Sequence, residues 1–178
     1  MILLFYKNSN SIVFLDNKLS KIGNTINFDQ LGFYSVKAVC KSKQIAIWLF
    51  DDFENKLIQY NFSTKQILQQ IDLNKKTIKN VRLKEQGNYI YFQEGNSNLS
   101  VFNNTGLLLD NLLFKNKNIF QFKGENIMFF NKKYIFSYNI ENKQKDSINL
   151  ANIKQIDKLR IENDLLYILK TDSIFIYK

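Results

Sequence analysis

Leu57-Ile58-Gln59-Tyr60-Asn61 is the stretch that decides the fold, because its pattern occurs five times in the chain. The pattern is an aliphatic residue, two further residues, a large apolar or aromatic residue and then, in most copies, Asn or Asp. The other copies are residues 12–16, 99–103, 135–139 and 174–178. The fourth positions, residues 15, 60, 102, 138 and 177, are spaced by 45, 42, 36 and 39 residues. A repeat of this length indicates an array of similar structural units.

Each complete unit contains four short segments that are typical of β-strands and are separated by polar turns. In the second unit these segments are residues 36–40, 45–50, 57–61 and 67–73. The first unit begins at the second segment, and the fifth unit ends at the third. The units are therefore placed at about residues 1–30, 35–73, 79–114, 118–150 and 156–178.

A helix competes with this interpretation over residues 153–169, where Ile156, Leu159 and Leu166 form an apolar stripe. The repeat favours strands, since Tyr167 falls at the position that Trp48 occupies in the second unit.

Four short antiparallel strands in about 40 residues are typical of a β-propeller blade. The second segments are apolar without alternation, which predicts strands that are buried on both faces. Leu57 and Tyr60 are three positions apart, so they point to opposite faces of a strand and suit a strand between two blades. We predict an all-β chain, a single β-propeller over residues 1–178 with about five blades, of which the first and last are incomplete. The rival β-sandwich does not require strands to repeat at a fixed period.

The first unit lacks the innermost strand and the fifth lacks the outermost, so the two deficits do not complement each other. Residues 2–6 would then have an unpaired edge. The sequence predicts an incomplete propeller that is truncated at its N-terminus or closed by a partner, including self-association through that N-terminal edge.

Residues 2–7, 12–19, 36–38 and 47–51 resemble a family of uncharacterised bacterial β-propeller proteins, and the likeness extends through the whole chain. Members of that family are longer at the N-terminus, with an exported leader and one more blade. The resemblance implies a six-bladed parent, of which this chain corresponds to the C-terminal five-blade portion. It implies no enzyme activity.

The charge of +9 suggests a polyanion partner, but Arg82 and Arg160 are the only arginines, and Lys suits a solvated surface. Nucleic acid is therefore not the expected partner. Apolar runs of at most six residues predict no membrane-spanning helix. The chain as given has no evident signal peptide, which predicts a cytoplasmic protein, or a periplasmic or exported one if the true N-terminus lies upstream.

Few residues are of the types that catalyse reactions or bind metal ions. The chain has no His, and its single cysteine, Cys40, alternates with Val36 and Ala38, so we predict a core residue rather than a nucleophile. Residues 51–55, Asp-Asp-Phe-Glu-Asn, could offer oxygens to Ca²⁺ but lack the EF-hand spacing, which favours a solvated turn. We predict no catalytic residues, no metal site and no cofactor.

Loops that join two blades share one end of a propeller with the loops between second and third strands. The candidate interaction residues at that end are Lys75, Lys76, Lys115, Lys117, Lys132, Lys133, Asp51, Asp52 and Trp48. The predicted function is a non-enzymatic scaffold for protein–protein interaction, because the fold alone specifies no chemistry. The alternatives are a propeller-type hydrolase or lyase with a site in the central channel, and a polyanion-binding surface.

Overall fold

The computed structural model describes residues 1–43, 45–73, 80–95, 98–114, 118–123, 125–131, 134–150 and 156–178. In these ranges it contains eighteen β-strands and two short 3-10 helices, Lys7–Ser9 and Asp29–Leu31. The strands form five antiparallel sheets in chain order, which we call blades 1 to 5.

Blades 1 and 5 have three strands each among the described residues, and blades 2, 3 and 4 have four. Blade 1 contains β1 (Ile2–Tyr6), β2 (Ser11–Leu15) and β3 (Lys21–Asn27), and blade 2 contains β4 (Val36–Lys41), β5 (Ala46–Asp51), β6 (Lys56–Asn61) and β7 (Gln66–Asp72). Blade 3 contains β8 (Val81–Gln86), β9 (Tyr89–Glu94), β10 (Asn98–Asn103) and β11 (Leu108–Leu113). Blade 4 contains β12 (Asn118–Lys123), β13 (Asn126–Phe130), β14 (Tyr134–Asn139) and β15 (Lys145–Asn149), and blade 5 contains β16 (Lys158–Glu162), β17 (Leu165–Lys170) and β18 (Ser173–Tyr177).

Neighbouring strands in every sheet are consecutive in the chain, which is the meander of a propeller blade. The predicted fold class, an all-β propeller of about five blades with an incomplete first and last blade, is confirmed. β16 and β17 occupy Lys158–Glu162 and Leu165–Lys170, so strands rather than a helix are confirmed over this part of residues 153–169. Residues 153–155 lie outside the described residues.

The chain divides into two compact units, residues 1–95 with 99–111, and residues 96–98 with 112–178. The first unit holds blades 1 and 2 and most of blade 3, and the second holds blades 4 and 5. That the five blades form a single domain stays a prediction.

In the first unit, β5 is buried along its whole length, on both faces. Ile47 and Leu49 belong to an apolar cluster with Ile12 of blade 1. Phe50, on the other face, packs edge to face against Phe92 of blade 3, with ring centroids 5.0 Å apart. One strand therefore supplies the core on both sides of blade 2.

The recurring motif strand behaves in the same way. Leu57 belongs to the cluster shared with blade 3, whereas Tyr60 belongs to the cluster shared with blade 1. The two side chains lie on opposite faces of β6, which confirms the prediction from their spacing.

The Asn or Asp that ends the motif forms the turn to the next strand. The Oδ1 atom of Asn61 accepts hydrogen bonds from the backbone N–H groups of Ser63 and Thr64, at 2.8 and 3.1 Å. The equivalent residues that accept backbone N–H groups in this way are Asp16, Asn103 and Asn139. Such side-chain contacts replace backbone hydrogen bonds that a tight turn leaves open.

In the second unit, blades 4 and 5 share an apolar cluster that includes Phe130 and Ile168. A reciprocal contact links their first strands. The Gln121 Nε2 donates to the carbonyl of Ile161 at 2.7 Å, and the Ile161 N–H donates to the Gln121 Oε1 at 2.8 Å. The side-chain amide of Gln121 therefore makes the same pair of hydrogen bonds with Ile161 that a backbone residue makes with its partner in a β-sheet.

One detail of the predicted second strands is wrong. Ile45 was expected inside a fully buried strand, but β5 begins at Ala46, and Ile45 is 60% exposed. Ile45 lies in the turn between β4 and β5, outside the packed region between the blades, and its side chain is therefore exposed to solvent.

Gly106, in the turn between β10 and β11, offers a test of the packing between neighbouring strands of blades 2 and 3. Its φ is +84°, and an added Cβ would lie 2.6 Å from the Gln69 Nε2 and 3.0 Å from the Ile71 Cγ1. We expect Gly106→Ala to lower the free energy of unfolding by about 2 kcal/mol, from backbone strain and crowding together. Urea unfolding followed by circular dichroism measures this.

Gly87→Ala is the matched control, because Gly87 has a φ of +63° and nothing within 4 Å of an added Cβ. This variant should lose only about 1 kcal/mol from the backbone term. Equal losses in the two variants would show that Gly106 does not pack closely on β7.

Candidate functional site

The six lysines predicted at the interaction rim lie outside the described residues. They are Lys75, Lys76, Lys115, Lys117, Lys132 and Lys133. Their part in an interaction stays a prediction.

Trp48 is a core residue, so its predicted place in the interaction rim is wrong. The side chain is 1% exposed and belongs to the apolar cluster between blades 2 and 3. Trp48 lies in the middle of β5, three residues before the loop, and its position on the strand directs it between the blades.

Asp51, the last residue of β5, shapes the following loop. Its carboxylate accepts hydrogen bonds from the backbone N–H groups of Phe53, at 2.9 Å, and Glu54, at 3.3 Å. The residue is only 2% exposed. Because the carboxylate is used in the turn, the loop is an ordered Asx-type turn. Among the described residues, no three His, Cys, Asp or Glu side chains lie close enough together to hold a metal ion.

Asp52 connects this loop to the loop that enters blade 2. Its backbone N–H donates to the carbonyl of Ser35 at 2.9 Å, and its carboxylate lies 3.9 Å from the Lys37 Nζ. Val36 and Asp51 are paired in the β4–β5 ladder, so the Ser35–Asp52 hydrogen bond extends that ladder by one step. The two loops are therefore held side by side.

An exposed aromatic residue flanks this hydrogen bond on each loop. Tyr34 precedes Ser35 and is 71% exposed, and Phe53 follows Asp52 and is 78% exposed. We call Tyr34, Asp52 and Phe53 the aromatic end of the first compact unit, residues 1–95 with 99–111.

The loop that carries Tyr34 is fixed from the inside. Phe33, next to Tyr34, is buried and packs edge to face on Tyr60 with ring centroids 5.6 Å apart. The side-chain Nδ2 of Asn10 donates to the carbonyl of Phe33 at 2.6 Å. Gly32, with a φ of +85°, supplies the left-handed conformation that ends the preceding 3-10 helix. These contacts leave Tyr34 pointing out of a well-anchored turn.

Charges around the aromatic end are balanced. Lys37 lies near Asp52, and the Lys56 Nζ is 3.6 Å from the Glu54 carboxylate. These pairs are exposed or half-buried, so each contributes little to stability. The excess positive charge of the chain, +9, is therefore not concentrated here.

Cys40 is half-buried on β4 and packs against the cluster between blades 2 and 3, which confirms that it is a packing residue. Burial raises the pKa of its thiol from 9.0 to about 12, although nearby backbone N–H groups at Glu85 and Trp48 oppose the rise. A thiol with this pKa is protonated at neutral pH, and the thiolate is the nucleophilic form. The arrangement therefore does not support nucleophilic chemistry at Cys40.

No protein-family model and no functionally curated protein matches the chain. Solved structures do match. Hsv2 from Kluyveromyces lactis is similar with a TM-score of 0.70 and 12% sequence identity, over 99% of this chain and 58% of that one. BamB from Moraxella catarrhalis gives a TM-score of 0.55 with 14% identity, over 94% of this chain and 51% of that one. The C-terminal WD40 domain of Sif2 gives 0.56 with 19% identity, over 80% of this chain and 43% of that one.

Identities this low show the fold alone, and these structures are β-propellers. The chain spans little more than half of the Hsv2 chains that it matches. Within the described residues, no helix has the length and apolar character needed to cross a membrane.

Sequence reasoning found the loop of the aromatic end but missed its two exposed rings. The sequence predicted Asp51 and Asp52 as interaction residues from their place at one end of the propeller. It did not single out Phe53, which lies between two acidic residues, or Tyr34, which follows the buried Phe33. The available signal was position, since both aromatic residues lie in polar turns outside the strand segments.

The protonated state of Cys40 can be tested by thiol labelling. At pH 8, a pKa of about 12 in place of 9.0 leaves about a thousand-fold less thiolate. We expect Ellman's reagent to label the folded chain at least about 100-fold more slowly than the chain unfolded in urea. A Cys40→Ser variant gives the background. Equal labelling rates in the folded and unfolded chains would contradict the burial of this thiol.

Proposed function

We propose that this chain is a non-enzymatic β-propeller scaffold that binds another protein through its aromatic end. The observation that carries the proposal is the exposure of Tyr34 and Phe53, 71% and 78%, on two loops that a backbone hydrogen bond holds together. Aromatic side chains are enriched in the buried centres of protein interfaces, where a few of them supply most of the binding energy. Rings that are presented on ordered loops also lose less entropy when a partner binds.

The balance of charge at the aromatic end favours a protein partner over a polyanion. Binding to a phosphate backbone needs an excess of cations that replace counterions. Here Lys37 and Lys56 each have an acidic side chain within 4.0 Å, at 3.9 Å for Asp52 and 3.6 Å for Glu54. Two aromatic rings beside paired charges suit the apolar centre and polar rim of a protein interface.

The proposal is non-enzymatic because the acidic groups at this end already have structural partners. The carboxylate of Asp51 holds the turn, and that of Asp52 faces Lys37. Cys40 is protonated at neutral pH. Fold likeness supports a scaffold only in general terms, because the same fold carries unrelated functions.

The resemblance to bacterial propellers leads to a second part of the proposal. The chain would correspond to the C-terminal five-blade portion of a longer, six-bladed protein. That the chain matches 58% of Hsv2 supports a comparison with longer propellers, without fixing the number of blades.

The test is affinity capture from the cells in which the protein occurs, followed by a binding measurement with the purified partner. We expect the Tyr34→Ser/Phe53→Ser double variant to bind that partner at least about ten-fold more weakly than the unaltered chain, because two anchoring rings are lost. Both rings are exposed, so thermal unfolding should change little.

Leu107→Ser is the matched control, since Leu107 is 64% exposed but lies in the turn between β10 and β11. Its removal should leave binding unchanged. A double variant that binds as tightly as the unaltered chain would exclude the aromatic end. A partner that is lost as readily from Leu107→Ser would point to non-specific apolar capture.

A further inference from the structure

A group of exposed aliphatic side chains lies in blades 1 and 2, at the opposite end of the strands from the aromatic end. It consists of Leu19, in the turn between β2 and β3, Ile22, in β3, and Ile45, in the turn between β4 and β5. Their exposed fractions are 67%, 44% and 60%. The strands of a blade alternate in direction, so the turn after β4 and the loop after β5 are at opposite ends. We call these three side chains the aliphatic end.

Contacts between the two blades bring these side chains together. Phe14 of β2 and Phe62, the first residue after β6, pack edge to face with ring centroids 6.0 Å apart. Ile22 is the partner of Phe14 in the β2–β3 ladder. The Phe62 N–H donates to the carbonyl of Ile45 at 3.3 Å. Leu19 is three residues from Ile22, so their Cα atoms are at most about 11 Å apart. The aliphatic end is therefore one surface around two half-buried rings.

Leu19 has a backbone conformation that does not suit leucine. Its φ is +65°, and among the described residues it is the one apolar side chain with a positive φ. The corresponding turn of blade 3 has Gly106 at this position, with a φ of +84°. The two turns are alike, since Oδ1 of Asp16 accepts the N–H groups of the second and fourth residues after it, and Oδ1 of Asn103 does the same. A residue with a Cβ is strained in this conformation, whereas Gly is not.

The exposure of Leu19 adds to this strain. Packing inside a protein can compensate for an unfavourable backbone conformation, but Leu19 is 67% exposed. The backbone at this position favours Gly, and contact with water favours a polar side chain. Strained residues that the fold does not require are concentrated at binding sites. The leucine therefore indicates a contact outside the chain.

Lysines surround the aliphatic end. Residues 16–21, 41–45 and 61–66 contain five lysines and one acidic residue, Asp16, so they carry +4 of the +9 charge of the chain. The Asp16 carboxylate accepts the N–H groups of its own turn. The five lysines are all exposed, and they are Lys18, Lys21, Lys41, Lys43 and Lys65.

Blade 2 separates its charges along the strands. Its acidic residues lie in the loop after β5 or opposite Lys56 at the end of β7, and they are Asp51, Asp52, Glu54 and Asp72. All of them are thus at the same end as Tyr34 and Phe53. In the described part of the chain, no carboxylate lies within 4.0 Å of the five lysines around the aliphatic end. Exposed apolar side chains and unpaired ammonium groups therefore occur together at this end.

We propose that the aliphatic end binds the surface of a lipid bilayer that contains anionic lipids. Leu19 and Ile45, at the tips of two turns, enter the boundary between headgroups and acyl chains, where burial of apolar surface stabilises the contact. The five lysines lie at the level of the headgroups, with their methylene stems along the apolar region and their ammonium groups near the lipid phosphates. The aromatic end then faces away from the bilayer and stays open to a protein partner.

Other occupants fit this surface less well. The centres of protein interfaces are depleted in Lys, and Leu is under-represented among the residues that supply most of the binding energy. Single-stranded nucleic acid stacks its bases on exposed aromatic rings, but Phe14 and Phe62 are half-buried against each other. The phosphate backbone of duplex DNA attracts lysines but offers no apolar contact to an exposed leucine. A bilayer with anionic lipids matches both the charge and the apolar tips.

Co-sedimentation of the 178-residue chain with lipid vesicles tests the proposal. Vesicles of phosphatidylcholine with about 30% phosphatidylglycerol should bind the chain at least about ten-fold more tightly than vesicles of phosphatidylcholine alone. Leu19→Ser/Ile45→Ser should weaken binding to the anionic vesicles at least about ten-fold, although it changes no charge. Circular dichroism and thermal unfolding check that the variant is folded.

Tyr34→Ser/Phe53→Ser is the control, because it removes two exposed rings from the opposite end. It should bind the anionic vesicles as the unaltered chain does. An unaltered chain that does not bind these vesicles overturns the proposal. So does an affinity that Leu19→Ser/Ile45→Ser leaves unchanged, because the surface would then bind any polyanion through charge alone.

Two charge variants of blade 2 test the part of the lysines. Lys43→Gln/Lys65→Gln removes two charges beside the aliphatic end and should weaken binding to the anionic vesicles at least about ten-fold. Lys37→Gln/Lys56→Gln removes two charges at the other end of the blade, where each lysine lies near a carboxylate. This control should change the affinity less than about two-fold. Equal losses in the two variants would show that net charge alone governs binding, and would overturn the assignment of the surface.

Leu19→Gly separates the membrane contact from stability. Gly suits the φ of +65°, so the urea midpoint should rise. Binding to the anionic vesicles should nevertheless fall several-fold, because an apolar tip is lost. A lower midpoint would show that the fold itself requires the leucine, and would overturn its assignment to the bilayer contact. Vesicle binding and partner binding use opposite ends of the strands, so either proposal can fail without the other.

Discussion

The structure depends on the burial of both faces of its central strands. In β5, Ile47 contributes to the core with blade 1, and Phe50 contributes to the core with blade 3. Burial of apolar surface stabilises by about 25 cal/mol per Å². A strand that is apolar on both faces gains this on both faces only when its sheet lies between two neighbours, because an isolated sheet leaves both faces in water. Neighbouring blades are therefore needed for each other's stability, as in other repeat proteins.

This constraint makes the first and last sheets different from the middle ones. β1 and β18 carry the side chains of inner strands, yet each is an edge within the described chain. Tyr6 is 50% exposed and Ile176 is 60% exposed, whereas in blade 2 the corresponding strand β5 is buried throughout and β6 is buried at three of its six residues. Within the described chain, the middle sheets therefore bury apolar side chains that these two edge strands leave exposed.

The features that sequence predicted are those that depend on neighbouring residues. Strand periodicity, the opposite faces of Leu57 and Tyr60, and the turn-forming Asn61 all follow from local spacing. The exposure of the side chains at the candidate site does not follow from local spacing. Phe33 is buried against Tyr60, and Tyr34 is exposed, in a loop whose backbone is held at the Phe33 carbonyl by Asn10, 23 residues away. Trp48 and Asp51 are three residues apart and both are buried, but Trp48 belongs to the apolar cluster between blades 2 and 3, whereas the Asp51 carboxylate holds the turn after β5.

The exposed rings at the aromatic end have a physical cause in the backbone around them. A mobile loop can fold an aromatic side chain onto its own apolar surface and hide it from water. At this end the Asp51 carboxylate and the Ser35–Asp52 hydrogen bond satisfy the polar backbone groups, so the turns are fixed with Tyr34 and Phe53 outside. The same contacts that prevent the rings from being buried within the chain make them available to a partner, which meets an ordered surface.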